Sequence, residues 1–240
     1  KVSIKTGQFS IIQDSIASIS EDQRIQLLLI GFCFNAFLEG AAGFGVPIAI
    51  CAVLLIQLGF EPLKAAMLCL IANGAAGAFG AIGLPVSIID TFNLSGGVTT
   101  LDVARYSALT LPILNFIIPF VLVFVIDGMK GIKEILPVIL TVSGTYTGLQ
   151  LLLTIFHGPE LADIIPSLAT MVVLAFVCRK FKPKNIFRLE ASEHKIQKRT
   201  PKEIVFAWSP FVILTAFVLV WSAPFFKKLF QPGGALESLV

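Results

Sequence analysis

One apolar run, Ile25 to Phe60, constrains this chain more than any other stretch, because it holds a single charged residue, Glu39, near its middle. Beside that carboxylate the string Gly40-Ala41-Ala42-Gly43-Phe44-Gly45-Val46-Pro47 supplies three glycines and a proline, residue types that interrupt helices. A charged group at bilayer depth is costly and has to face protein or a wet cavity, which makes Glu39 a candidate functional residue. Interrupted backbone at that depth is tolerated only where protein buries it or where it lines a cavity. The pattern predicts a helix break around residues 39–47, next to a polar pocket near the bilayer midplane. Composition agrees: 56% of the residues are hydrophobic and 14% charged, against roughly 25% charged in soluble domains. The chain reads as an all-α polytopic membrane protein.

The stretch from Arg24 to Gly59 is too short for two full crossings and a turn, since each crossing takes about 20 residues. The halves 24–38 and 47–59 would reach only about 22 and 20 Å at the helical rise. A re-entrant helical hairpin over residues 24–60 is the preferred reading; two short, tilted crossings are the alternative. A second interruption follows in residues 61–100. Here Gly74-Ala75-Ala76-Gly77 repeats the earlier motif after Asn73, and Gly74, Gly77, Gly80 and Gly83 recur at every third position before Pro85. This predicts a discontinuous transmembrane helix, the alternative being a ridge of small residues for close helix packing. Paired interruptions of this kind point to a transporter binding site. Pro47 and Pro85 suit the first position of the following half-helix. Two helix starts with open N–H groups would then meet near the midplane and favour a carboxylate.

The rest of the chain is more ordinary. Residues 1–23 form a polar segment in which Phe9, Ile12, Ile16 and Ile19 recur at helical spacing, as in an interfacial helix lying on the cytoplasmic membrane surface. Ser20-Glu21-Asp22-Gln23 matches a capping box that would start a helix near Glu21. Residues 101–178 hold three transmembrane helices. The first is expected to kink at Pro112 and Pro119 around Asn115. The second carries a polar band of Thr141, Ser143, Thr145, Tyr146 and Thr147, suited to interhelical hydrogen bonds or to lining a pathway. Residues 179–202 are a basic loop, and 203–240 contain a final span with Trp208 and Trp221 spaced for the two aromatic belts.

Charge tests this topology. With the basic loop in the cytoplasm and the hairpin returning to its own side, 15 of the 18 Lys and Arg residues fall inside, as the positive-inside rule requires. Only Arg105, Lys227 and Lys228 remain outside, with Glu160 and Asp163 in one outer loop. A single crossing between Arg24 and Gly59 would break the rule, although the count does not distinguish a hairpin from two short spans. The four cysteines are scattered singly in apolar segments and the two histidines lie apart, so no metal site, disulfide framework or cofactor is signalled. Basic residues confined to loops argue against nucleic-acid binding. The chain lacks an initiator Met and reads as an internal fragment.

At these residues the sequence resembles the bacterial L-lactate permease family. The matching strings include Gly7-Gln8-Phe9, Asp22-Gln23-Arg24-Ile25-Gln26, Ala36 through Pro47, Ala78 through Pro85, Asp127-Gly128, Gly131-Ile132-Lys133-Glu134, Gly158-Pro159-Glu160-Leu161 and Gly233-Gly234-Ala235-Leu236. The resemblance implies a proton-coupled symporter of the bacterial cytoplasmic membrane for L-lactate, with D-lactate and glycolate as further candidate substrates. It also implies an intact protein about twice this length, with the missing remainder completing the site. By analogy of fold alone, the chain looks like one half of an inverted-repeat transporter.

The substrate-binding candidates are then Asn35, Gly43, Gly45, Val46, Asn73, Gly77, Gly80 and Gly83, with Glu39 carrying the coupling proton. Asn35 lies one turn before Glu39 on the same helix face and would orient the carboxyl or the substrate hydroxyl. The rival readings are a carrier for another small organic anion or a sodium-coupled one, an intramembrane enzyme, and a passive channel. A lone Glu39 without a nearby His argues against the enzyme.

Overall fold

The computed structural model describes residues 7–43, 45–92, 96–189, 199–230 and 235, and every regular element among them is helical. Helix α1 is Gln8–Ala17. Helix α2, Gln23–Ala42, is the first arm of the hairpin, and α3, Val46–Gln57, is the second. Helix α4 is Pro62–Asn73. A short 3-10 turn, Gly77–Phe79, leads into α5, Gly80–Ser87, and a second 3-10 turn, Ile88–Phe92. The longer helices are α6 (Thr100–Glu134), α7 (Leu136–Phe156), α8 (Ile164–Lys180) and α9 (Pro201–Ser222), followed by the short α10, Pro224–Lys228. Helices α2, α6, α7 and α9 are each long and apolar enough to cross a membrane.

Helix α2 is the axis of the bundle. It is apolar on every face, and a helix of that kind has to be buried on every face. Its membrane-length window is 89% buried, against 11% for α9. Helices α3, α4, α6 and α8 pack around α2, and Phe211 of α9 packs edge-on against Phe34 and Phe37. The apolar stripe Cys51, Leu54, Leu55 and Leu58 faces α3 inward, and Ala65, Leu68, Cys69 and Ala72 do the same for α4. Three of those four α4 residues are small, which lets its backbone approach closely.

The chain reverses between the arms. The Gln23 side-chain amide donates to the Leu58 carbonyl at 2.5 Å, so the end of α3 returns to the start of α2. The arms are unequal: 20 residues in the first and 12 in the second, or about 30 and 18 Å of helix. The turn therefore falls at residues 43–45 rather than across the broader 39–47. Residues 28–34 of α2 form a π-helical stretch, with the Asn35 N–H reaching back to the Ile30 carbonyl. No feature of the apolar string Leu28–Phe34 announces this.

Other local expectations shift by small amounts. Asp22, not Ser20, caps α2, accepting from the Arg24 N–H. Helix α6 is helical through Pro112 and Pro119 and leaves helical geometry only at Gly128 (φ 61°, ψ −157°). The apolar face of α1 turns to protein: Ile12 and Ile16 are buried, Asp14 accepts from Arg199 at 2.7 Å, and Ser15 accepts from the Trp208 indole at 3.0 Å. Trp208 is thus held within the bundle, while Trp221 stays 59% exposed.

Arg24 gathers the end of the bundle where both arms of the hairpin terminate. Its guanidinium bonds both carboxylate oxygens of Asp22, at 3.0 and 2.7 Å. It also bonds Asp127 at 2.7 Å, Glu134 at 2.8 Å and the Asn185 carbonyl at 2.9 Å. The Gln23 N–H donates to the Phe187 carbonyl and the Phe187 N–H to Asp22 Oδ2, both at 3.1 Å, which adds the start of the basic loop. The segments that charge counting assigns to one side of the membrane meet here.

Candidate functional site where two helix breaks meet

The first break lies at Gly43 (φ 64°) and Gly45 (φ 80°), both in the left-handed region that favours glycine. Helix α3 starts directly after it with Pro47 in its first turn and no side-chain cap; the Val46 N–H donates to the Gly43 carbonyl at 3.3 Å and the Ala49 N–H to the Gly45 carbonyl at 3.5 Å. The second break bends the α4 segment by 63° relative to Gly77–Phe92. Within it Ala81, Ile82 and Gly83 form a consecutive left-handed run, with φ of 48°, 61° and 71°. For a β-branched residue such as Ile82 that conformation is a genuine outlier. Strain of this kind persists only where the surroundings enforce it, and it clusters at functional sites. Only four α-helical residues, 84–87, follow the run before the chain tightens into 3-10 geometry, so Pro85 opens a much shorter segment than Pro47 does.

The two breaks touch. A Cβ on Gly43 would come within 2.8 Å of the Ala81 Cβ and 3.0 Å of its backbone nitrogen. Glu39, 6% exposed, lays its carboxyl against the second break: a Cβ on Gly80 would sit 2.6 Å from Glu39 Oε1. Gly83 abuts Pro159 and Glu160, at 2.7 Å from the Pro159 carbonyl carbon to the same hypothetical atom. Gly40 abuts the start of α8, 2.8 Å from the Asp163 Cβ by that measure. Small residues at these four points let α2, the second break, the loop at Pro159 and the start of α8 pack closely together.

Asp163 is the member of this cluster that the sequence reading assigned to an outer loop. It is 1% exposed. Its Oδ1 accepts from the Tyr146 hydroxyl at 3.0 Å and from the Gln150 amide at 2.8 Å. Gln150 in turn accepts from the Asn115 amide at 2.5 Å. Asp163 lies near enough to Glu39 for the two carboxyls to interact electrostatically. The available signal was the inward stripe Ser143, Tyr146, Thr147, Gln150 and Thr154, all buried on α7, whose spacing of three and four residues marks one helix face.

The remaining candidates divide. Gly80 packs on the Glu39 carboxyl, Gly43 on Ala81, and Gly83 on the loop at Pro159. Gly45, Val46 and Gly77 are exposed and lie at the rim of the breaks. Asn35 is fully buried, and its amide donates to the Cys69 carbonyl at 3.1 Å, tying α2 to α4. Asn73 ends α4, partly buried. Arg105 is exposed on α6. Among the described residues, no three or more His, Cys, Asp or Glu side chains come together to hold a metal ion.

A helical hairpin meeting a broken helix at a buried carboxyl, inside a bundle of membrane-length helices, defines a polytopic integral membrane protein. Comparison with known proteins narrows the class. The model of the family described as L-lactate permease matches residues 1–239, and the chain belongs to that family, one of permeases rather than enzymes. It is 62% identical over 237 residues to an L-lactate permease of Halalkalibacterium halodurans, covering 99% of this chain and 45% of the relative. It is 45% identical over 247 residues to an L-lactate permease of Escherichia coli K12, covering 100% of this chain and 44% of the relative. A glycolate permease of the same organism is 44% identical over 258 residues, with coverage of 100% and 45%. The chain thus spans a little under half the length of the relatives it matches. No solved structure matches it.

Proposed function

We propose that this chain is the part of a carrier of the bacterial cytoplasmic membrane that moves L-lactate, and related 2-hydroxymonocarboxylates such as glycolate, together with a proton. The observation that carries the reading is the Glu39 carboxyl, buried where the two helix breaks touch. Charge buried among apolar and backbone groups is costly unless compensated, and a bound proton compensates it. The start of α3, which no side chain caps, turns a positive dipole end toward the substrate carboxylate. Proton and anion then enter as a pair, and binding one favours the other because together they are neutral. Movement of the hairpin and broken helix against the other helices would expose the site alternately to the two sides. The glycolate permease among the relatives supports a site that tolerates loss of the lactate methyl group.

The test is uptake of labelled L-lactate by the complete protein in proteoliposomes under an imposed pH gradient. Wild type accumulates lactate above the outside concentration, and Glu39→Gln equilibrates it without accumulation. A Glu39→Gln carrier that still accumulates lactate removes Glu39 as the proton carrier. Accumulation driven by a sodium gradient at equal pH removes the proton as the coupling ion.

A further inference from the structure

We propose that Asp163 is a second proton-carrying carboxyl of this site, exchanging a proton with Glu39 while Tyr146 and Gln150 hold it in place. The inference rests on the carrier reading above and extends it to a residue outside the hairpin. The geometry is specific. Both hydrogen bonds that Asp163 accepts arrive at Oδ1, whereas its Oδ2 is buried and without a hydrogen-bond partner among the described residues. Asp163 occupies the cap position of α8, yet its side chain makes no capping bond. One oxygen is held and the other is left for a proton. An ionised carboxylate buried with one oxygen unsatisfied is costly, and a proton on that oxygen relieves the cost.

The donors to Oδ1 are themselves fixed. The Asn115 amide bonds the Gln150 carbonyl oxygen at 2.5 Å, which leaves the Gln150 NH2 pointing at Asp163. The Tyr146 ring packs edge-on against Phe32 at 5.0 Å. Asp163 and Glu39 flank Gly40, the first through space and the second along the chain. Two buried carboxyls that flank one glycine and interact electrostatically resist being ionised together, so the pair retains one proton. Asp163 Oδ2 makes no hydrogen bond among the described residues, so the exchange takes a movement that brings it to Glu39; the O–H bond of Asp163 then breaks as that of Glu39 forms, and the negative charge passes from Glu39 to Asp163. The titratable groups around the pair are Tyr146 on α7, Cys33 on α2 near Tyr146, and Glu160 beside Gly158. The break segment Gly77–Gly83 bears none.

The experiment compares two modes in proteoliposomes of the complete protein, with the membrane potential held at zero. One is accumulation of labelled L-lactate driven by a pH gradient; the other is counterflow of labelled against unlabelled L-lactate at equal pH. Asp163→Asn is expected to lose accumulation and keep counterflow. Tyr146→Phe keeps the ring contact with Phe32 and loses one donor to Oδ1, so half-maximal uptake moves to higher pH with counterflow unchanged. Accumulation by Asp163→Asn equal to wild type overturns the proposal, as does a parallel loss of both modes in the two variants. Should Asp163→Asn fail to reach the membrane, an unchanged pH profile in Tyr146→Phe overturns it alone. Glu39→Gln separates the levels. If Glu39→Gln is uncoupled while Asp163→Asn stays coupled, only the role of Asp163 falls. If Glu39→Gln still accumulates lactate, Glu39 is removed as the proton carrier and the exchange proposed here falls with it.

Discussion

Replacing Arg24 by Ala tests whether the ionic hub at the base of the hairpin holds the bundle together. Arg24 is fully buried and makes five hydrogen bonds, four of them to the carboxylates of Asp22, Asp127 and Glu134. Removing it leaves Asp22, 1% exposed, without its counter-charge beside two more acids. Breaking a buried ion pair by deleting one partner costs about 3–5 kcal/mol. The 16% and 18% exposure of the Asp127 and Glu134 side chains admits some solvent screening, which places the expected loss near the lower figure, about 3 kcal/mol. The control lies in the same region: Arg188 pairs with Glu21, but both side chains are more than half exposed, and such pairs contribute less than about 1 kcal/mol. Arg24→Lys keeps the charge and loses the planar fork that reaches several partners at once, so it is expected to fall between the two. The assay is unfolding of the purified complete protein in detergent, followed by loss of helical circular dichroism. A destabilisation by Arg24→Ala no larger than that by Arg188→Ala refutes the assignment of the hub as a structural centre.

Two further substitutions probe the junction of the breaks. Gly80→Ala introduces a methyl group 2.6 Å from Glu39 Oε1, so the carboxyl has to move; gradient-driven lactate uptake is expected to be lost while helical content and expression stay near wild type. Ala81→Gly removes a left-handed conformation held by a residue with a side chain. That conformation costs roughly 1–2 kcal/mol, so the variant is expected to melt at the same or a higher temperature than wild type, against the usual direction of an Ala to Gly change in a helix.

Much of the fold was legible from the residues. Gly43, Gly45 and Pro47 mark the first break and Gly80, Gly83 and Pro85 the second, because each residue type acts through its own backbone restrictions, which need no knowledge of neighbours. The helix-length arithmetic failed for the first arm, which runs 20 residues and is long enough to cross a membrane, because the helix continues past Glu39 to Ala42. The left-handed run through Ala81 and Ile82 was not legible, because nothing intrinsic to either residue favours it; contact with Gly43 and with the loop at Pro159 imposes it. The π-helical stretch Leu28–Phe34 was hidden for a related reason, since an apolar string is compatible with either hydrogen-bond ladder.

Local chemistry thus settled the class of protein and the position of both interruptions and made Glu39 the candidate to examine, since glycine, proline and a lone carboxylate restrict any chain in lipid regardless of what surrounds them. Long-range packing settled the company that Glu39 keeps. Asp163 lies 124 positions further along the chain, in a stretch whose loop-like composition suggests solvent; only the docking of α8 against Gly40 and of Tyr146 and Gln150 onto its carboxyl brings it into the interior. Burial is a property of the assembled bundle, and a carboxylate changes its chemistry when water is excluded from it.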